Sequence, residues 1–162
     1  MTTTAWARSV AIGCLNTRSH EYQQLSSEMC WNAAFHVALL AGCISQAKAA
    51  QLKDATSSAG GPAFANGAPI RNAEDMLAVP GGHFIYFMFG ARPIHAMVST
   101  GAGMAAGNKN DCVGVGHGVG WEELDLANGL KWGGAADITA PGGPGGRAVH
   151  VFQFPITALA NR

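Results

Sequence analysis

Charge is scarce in this chain. Charged residues (Asp, Glu, Lys and Arg) make up 12% of it, against ~25% in an average soluble domain, and the ten basic and ten acidic side chains cancel. Such a balance lacks the basic excess that binds nucleic acid or an anionic membrane surface, so neither is an expected partner. The cysteines Cys14, Cys30, Cys43 and Cys112 contain no C-x-x-C pair, which leaves a zinc ribbon or a thioredoxin-type motif without support. No histidine pair has H-x-x-x-H spacing, and no metal site is expected. Long apolar runs are missing too. The longest, Ala33 to Ile44, is broken by His36 and Gly42 and falls short of the ~20 residues that cross a bilayer. The first residues carry no basic segment leading into an apolar one, so no cleavable signal is expected, and export would have to use a route that reads none.

The chain is 162 residues long, 48% hydrophobic, and has 22 glycines. That describes a loop-rich globule able to bury a core, and one domain over 1–162. Two disulfides are arithmetically open, but a core of this size does not depend on them, and Cys14 and Cys43 read as ordinary small apolar residues.

The pattern of residues predicts helices first and strands afterwards. A helix is expected within Thr4 to Leu15. A second, N-capped by Ser26 or Ser27 with Glu28 in its first turn, is expected to run to about Leu40. Ser45 to Lys53 is rich in helix formers. Gly60 to Pro69 reads as loop, and Asn72 to Ala78 as a short helix stopped by Pro80. The continuous apolar run His83 to Phe89 is a buried strand, followed by a turn at Gly90–Pro93 and a strand Ile94 to Thr100. Gly101–Gly103 then makes a hairpin into Met104–Ala106. A further strand is expected at Cys112–Val115, a short helix or loop at Trp121–Ala127, a loop at Pro141–Gly146, and a last strand at Val149–Phe154. This order indicates an α+β domain, with N-terminal helices packed on an antiparallel β-sheet.

Cys30 opens the apolar helix. Free N–H groups and the positive end of the helix dipole favour a thiolate there, and the thiolate is the reactive form of cysteine. A nucleophile needs a base and an orienting group. His95 is the best placed of the six histidines, on a half-buried strand beside a turn, although a hydrogen-bonded core histidine reads equally well. His36 follows Cys30 by six residues and is rotated away from it on a 3.6-residue helix. His83 and His150 sit on other strands, and His20 and His117 in loops. Asp137, among small and apolar neighbours, is the candidate orienting acid. Asp111 is the runner-up, in a segment that otherwise reads as turn chemistry, while Glu122, Glu123 and Asp125 look like a solvated helix face. An oxyanion hole calls for the Cys30 N–H and a side-chain amide, for which Gln24, Gln23 and Asn32 are candidates. The alternating glycines Gly114, Gly116, Gly118 and Gly120 lack the lysine and the strand–loop–helix setting of a nucleotide loop and read as a flexible turn.

Cys30-Trp31-Asn32-Ala33-Ala34 on a helix, Pro93-Ile94-His95-Ala96-Met97-Val98-Ser99-Thr100-Gly101 on a strand, and a later aspartate together resemble the papain-like cysteine hydrolases. Within that superfamily the strings, and the spacing of Cys30, His95 and Asp137, resemble the TecA-like effectors, bacterial type VI secretion toxins. The resemblance implies a papain-like fold over nearly the whole chain and a Cys–His–Asp triad of Cys30 (nucleophile), His95 (general base and acid) and Asp137 (orienting group), with no cofactor. It implies a host Rho-family GTPase as protein substrate, whose switch-I asparagine is deamidated. Inactivation of the GTPase would disrupt actin, and the pyrin inflammasome can respond. The protein would be exported by a secretion apparatus and act in the host cytosol. Peptidoglycan amidases of the NlpC kind and effector cysteine proteases use the same thioester chemistry on other substrates. A non-enzymatic binding module with Cys30 as a buried core thiol is a third class.

Overall fold

A computed structural model describes residues 3–59, 61–116, 118–133, 137–139 and 148–162. The expectations for His117 and for the loop at Pro141–Gly146 lie outside them. The described residues form an α+β domain. Helices α1 (Thr3–Gly13), α2 (His20–Ser26), α3 (Cys30–Leu40) and α4 (Gln46–Ala59) come first. After them come β1 (Ala68–Ile70), α5 (Ala73–Ala78), β2 (His83–Phe89), β3 (Arg92–Gly101), β4 (Met104–Asn108), β5 (Trp121–Asp125), α6 (Leu126–Gly129), β6 (Lys131–Trp132), β7 (Asp137–Thr139) and β8 (Ala148–Pro155). All strand pairs are antiparallel, in the order β5-β4-β3-β2-β8-β7-β6, with β1 also pairing β8.

The centre of the sheet is buried on both faces, which is why β2 is apolar at successive positions rather than alternate ones. Phe84 and Tyr86 join Phe35, Phe64 and Phe154 in the core under the N-terminal helices. Ile85 and Phe87 point the other way, into a core with Met97, Val151, Met76 of α5 and Leu126 of α6. Two long-range bonds tie α1 to the sheet: Arg8 Nε donates to the Thr100 carbonyl (2.6 Å) and Trp121 Nε1 to the Ala11 carbonyl (3.0 Å).

Four local expectations are corrected. The helix expected from Ser26 or Ser27 starts only at Cys30, and a separate helix, α2, precedes it with a break at 27–29 between the two. Ser26 does not cap the second, because its Oγ accepts the Trp121 N–H (3.0 Å), and Ser27 Oγ turns back to the Gln24 carbonyl. His20 opens α2 rather than lying in a loop. Cys112–Val115 is not a strand: Lys109 and Gly114 both take left-handed backbone, and between them Asn110–Val113 winds into a 3-10 turn. Trp121–Asp125 is an edge strand paired with β4, and only Leu126–Gly129 is helical. The 60–69 region also contains structure, a 3-10 turn at Pro62–Phe64 and β1. Its Phe64 is drawn into the aromatic core.

Candidate active site

The site lies where the sheet opens. The β4 register with β3 ends at Val98↔Ala106, while β4 stays paired with β5 as far as Asn108↔Trp121. The β3 edge from Ile94 to Ala96 is therefore free of a strand partner on that side, and side chains fill the gap. Alternate residues of a strand present their N–H and C=O to the same edge, so Ile94 and Ala96 face the same opening.

Cys30 enters this opening from the start of α3. It is 7% exposed. The helix has Met29 at its N-cap and no side-chain cap, so its first amides are left for another acceptor. That acceptor is the sulfur: the N–H groups of Ala96, Trp31 and Cys30 itself all point at it and favour the thiolate. Burial outweighs them, and the net effect is a thiol pushed above its ordinary value. The helix terminus thus supplies the amides expected of it without the lowered thiol, because a sulfur enclosed between helix and sheet loses more hydration than three amides return. At rest Cys30 is a thiol and needs a base to remove its proton.

His95, one residue before the Ala96 amide, is fully buried. Its ring packs against Phe87 at 5.5 Å between centroids. Burial pushes its pKa down to about 4, against weaker upward pulls from the Asn110 hydrogen bond and the Asp111 charge, so the imidazole is neutral. Its Nε2 lies 2.8 Å from Asn110 Oδ1. The orientation of the Asn110 amide follows from its other contacts. Nδ2 donates to the Gly107 carbonyl (2.9 Å) and to Glu122 Oε1 (3.3 Å), both pure acceptors. Oδ1 is therefore the atom facing His95, and Nε2 must carry the ring proton. Nδ1 is left as a lone pair, buried and bonded to no group among the described residues. A neutral imidazole with its lone pair at Nδ1, on the residue next to the amide that contacts the thiol, has the electronic state of a general base.

Two more groups define the surroundings. Asn108, fully buried, donates to the carbonyls of Ser26 (3.2 Å) and Glu28 (2.5 Å) and so holds the 26–28 segment that delivers Cys30. The Cys112 thiol lies on the same β3 edge, 3.8 Å from the Ile94 carbonyl. Burial foremost, and then the Cys30 and Asp111 charges, push it up to about 12, so it stays protonated. All four cysteines are free thiols.

The structure sets the Cys30 sulfur against the Ala96 amide, one residue along β3 from His95, and does not bring Asp137 to either. Asp137 is opposite His150 on β7, with β8 and β2 between it and β3. Three steps of ~4.8 Å separate the backbones by roughly 14 Å, beyond the joint reach of an aspartate and an imidazole. Asp111 is exposed and acts on His95 only through its charge. The neighbour in hydrogen-bond contact is Asn110, which sequence reasoning passes over inside Asn108-Lys109-Asn110-Asp111. A signal is present in that half-polar string: turn asparagines also fold inward and bond to nearby groups. Nor does Gln24 join the thiol. It is exposed on α2 and faces a cavity of about 290 Å³ between α2, α3 and α4, shared with Asn32, Glu28 and His36. Gln23 is exposed on the same helix. His36 pairs with Glu28 at 2.6 Å and His83 with Gln153 at 2.6 Å.

Among the described residues, no three His, Cys, Asp or Glu side chains gather as metal ligands, and no helix is long and apolar enough to cross a membrane. Set against protein-family models, curated proteins and solved structures, the chain matches none of them.

Proposed function

We propose that this domain is a cysteine hydrolase acting on a carboxamide, with Cys30 as nucleophile, His95 as general base and acid, and Asn110 as the residue that orients the imidazole. The observation that carries the reading is the fixed tautomer of a buried, neutral His95, whose Nδ1 lone pair has no partner among the described residues, one residue along the strand from the Ala96 amide that contacts the Cys30 thiol. Most buried polar side-chain atoms are hydrogen-bonded, and His95 Nδ1 is one of the few among the described residues that is not.

The chemistry follows from those protonation states. As the sulfur attacks the carboxamide carbon, its proton passes to Nδ1, giving an imidazolium that Asn110 holds through Nε2–H. The Cys30 N–H, at the helix terminus, is available to the developing oxyanion. The imidazolium then protonates the leaving nitrogen. Ammonia departs, and a thioester remains on Cys30. Water, deprotonated by Nδ1, attacks the thioester carbonyl, and release of the carboxylate restores the thiol.

Within this chemistry the substrate comes from the resemblance in the strings Cys30–Ala34 and Pro93–Gly101: the switch-I asparagine of a host Rho-family GTPase, reached by an effector delivered through a secretion apparatus. The papain-like fold belongs to the same proposal. It is supported by a helix that starts at the cysteine, packed against a histidine-bearing strand of an antiparallel sheet.

The test is peptide mass spectrometry of RhoA incubated with wild type and with Cys30→Ala. The expected result is a gain of about one dalton on a switch-I asparagine with wild type alone, the mass difference between an amide and an acid formed through a thioester. Backbone cleavage of RhoA would replace deamidase by protease. An unmodified RhoA with lysis of purified sacculi would replace it by peptidoglycan amidase. A Cys30 inert to iodoacetamide at neutral pH would reject the hydrolase altogether.

A further inference from the structure

Asn110 can hold His95 in the reactive tautomer only while its own amide is held the right way round. Turned by half a rotation about its last bond, it would offer Nδ2 to the ring. His95 would then accept at Nε2 and carry its proton on Nδ1, where it could no longer take one from Cys30. Two acceptors oppose that rotation, the Gly107 carbonyl and the Glu122 carboxylate. The first is backbone. The second is a side chain on the edge strand β5, inward-facing and partly buried, at a position that the sequence pattern assigns to a solvated face.

We propose that Glu122 is a positioning residue. Its carboxylate fixes the Asn110 amide, and through it the His95 tautomer, so that the site is a relay of Cys30, His95, Asn110 and Glu122. This rests on the reading of Cys30 and His95 given above. The glycine-rich segment supports the same device. Gly116 has φ +86°, a left-handed backbone, and a Cβ built there would stand 2.3 Å from Glu122 Oε1 and 3.1 Å from Asn110 Cβ. The main chain therefore lies directly on the Asn110–Glu122 pair, at a distance only glycine permits. Carboxylate acceptors strengthen a hydrogen bond relative to neutral ones, so the last member of the relay contributes charge as well as geometry.

The experiment uses the whole protein with ¹⁵N-labelled histidine and no substrate. Ring nitrogen shifts report the His95 tautomer, and iodoacetamide capture of Cys30 at pH 7 reports the base. Wild type is expected to be protonated at Nε2. Glu122→Met keeps the length of the side chain and removes the acceptor. It is expected to populate the Nδ1–H tautomer and to slow capture roughly ten- to hundredfold, the effect of one hydrogen bond to a charged group. Glu122→Gln, which keeps an acceptor oxygen, is expected to restore both readouts. A folded Glu122→Met with the wild-type tautomer and capture rate would overturn the proposal. Should that variant fail to fold, Gly116→Ala takes its place, because the added Cβ displaces the Glu122 carboxylate. A shifted tautomer and slower capture in Gly116→Ala would support the relay, and wild-type values for both would overturn it. RhoA left unmodified by wild type would reject the substrate and leave the positioning role standing, because the tautomer is read without substrate.

Discussion

The helix starts at α2 and α5 are built for a purpose opposite to that at α3. At α2, Ser19 turns its hydroxyl onto the Tyr22 N–H (3.0 Å), and at α5, Asn72 does the same for the Asp75 N–H (2.7 Å). Each side chain satisfies an amide that the helix leaves open, which stabilises the terminus. The α3 start has no such cap: Met29 occupies the position and is 48% exposed. Its amides are turned on Cys30 sulfur instead. The cap that would stabilise α3 would compete for the donors that favour its thiolate, so local stability is forgone at the proposed nucleophile.

The largest expected effect that tests this contrast comes from Asn110→Ala. It strips a buried imidazole N–H of its acceptor and takes the Asn110 donor from the Gly107 carbonyl and the Glu122 carboxylate. The cost is about 1–3 kcal/mol of stability, measured by urea unfolding. A roughly hundredfold loss of turnover on the same substrate is expected if Asn110 orients the base. Asp137→Ala, three strands away, is expected to cost turnover little.

Next in size is a pH effect on stability. His95 has a folded-state pKa depressed to about 4 from 6.5. Between those values the unfolded chain binds the extra proton, so stability falls as pH drops from 6.5 towards 4 and is fully present above 6.5. Unfolding midpoints at pH 5 and pH 7 should differ more for wild type than for His95→Gln. An equal difference would mean that the imidazole is hydrated.

The smallest effects separate the two kinds of helix start. Ser19→Ala should cost about 1 kcal/mol in unfolding experiments and leave the rate of Cys30 alkylation unchanged. Met29→Asp should do the reverse. It adds a cap worth up to about 1 kcal/mol while slowing alkylation, because a carboxylate then takes the amides and raises the thiol further. Faster alkylation in Met29→Asp would show that the amides serve the helix and not the sulfur.

Much of the fold is legible in the chain. The buried strand His83–Phe89 follows from continuous apolar residues, and the α+β order from where helix formers give way to β-branched and aromatic runs. Cys30 at a helix start is readable because apolar periodicity and local composition are short-range signals. Other elements are not. Trp121–Asp125 reads as a charged helix face until β4 supplies a partner, since an edge strand is specified by what it pairs with. Ser26 looks like a cap until the Trp121 amide, 95 residues away, claims its hydroxyl. The site divides along the same line. Cys30 at its helix start and His95 on its strand are set by local sequence, for each rests on its own neighbours. Long-range packing alone settles that Asn110 and not Asp137 meets the imidazole, that Glu122 stands behind it, and that the resting thiol is protonated. Sheet order, the early departure of β4 from β3 and the depth of burial are sums over contacts distant along the chain, and no local string encodes them.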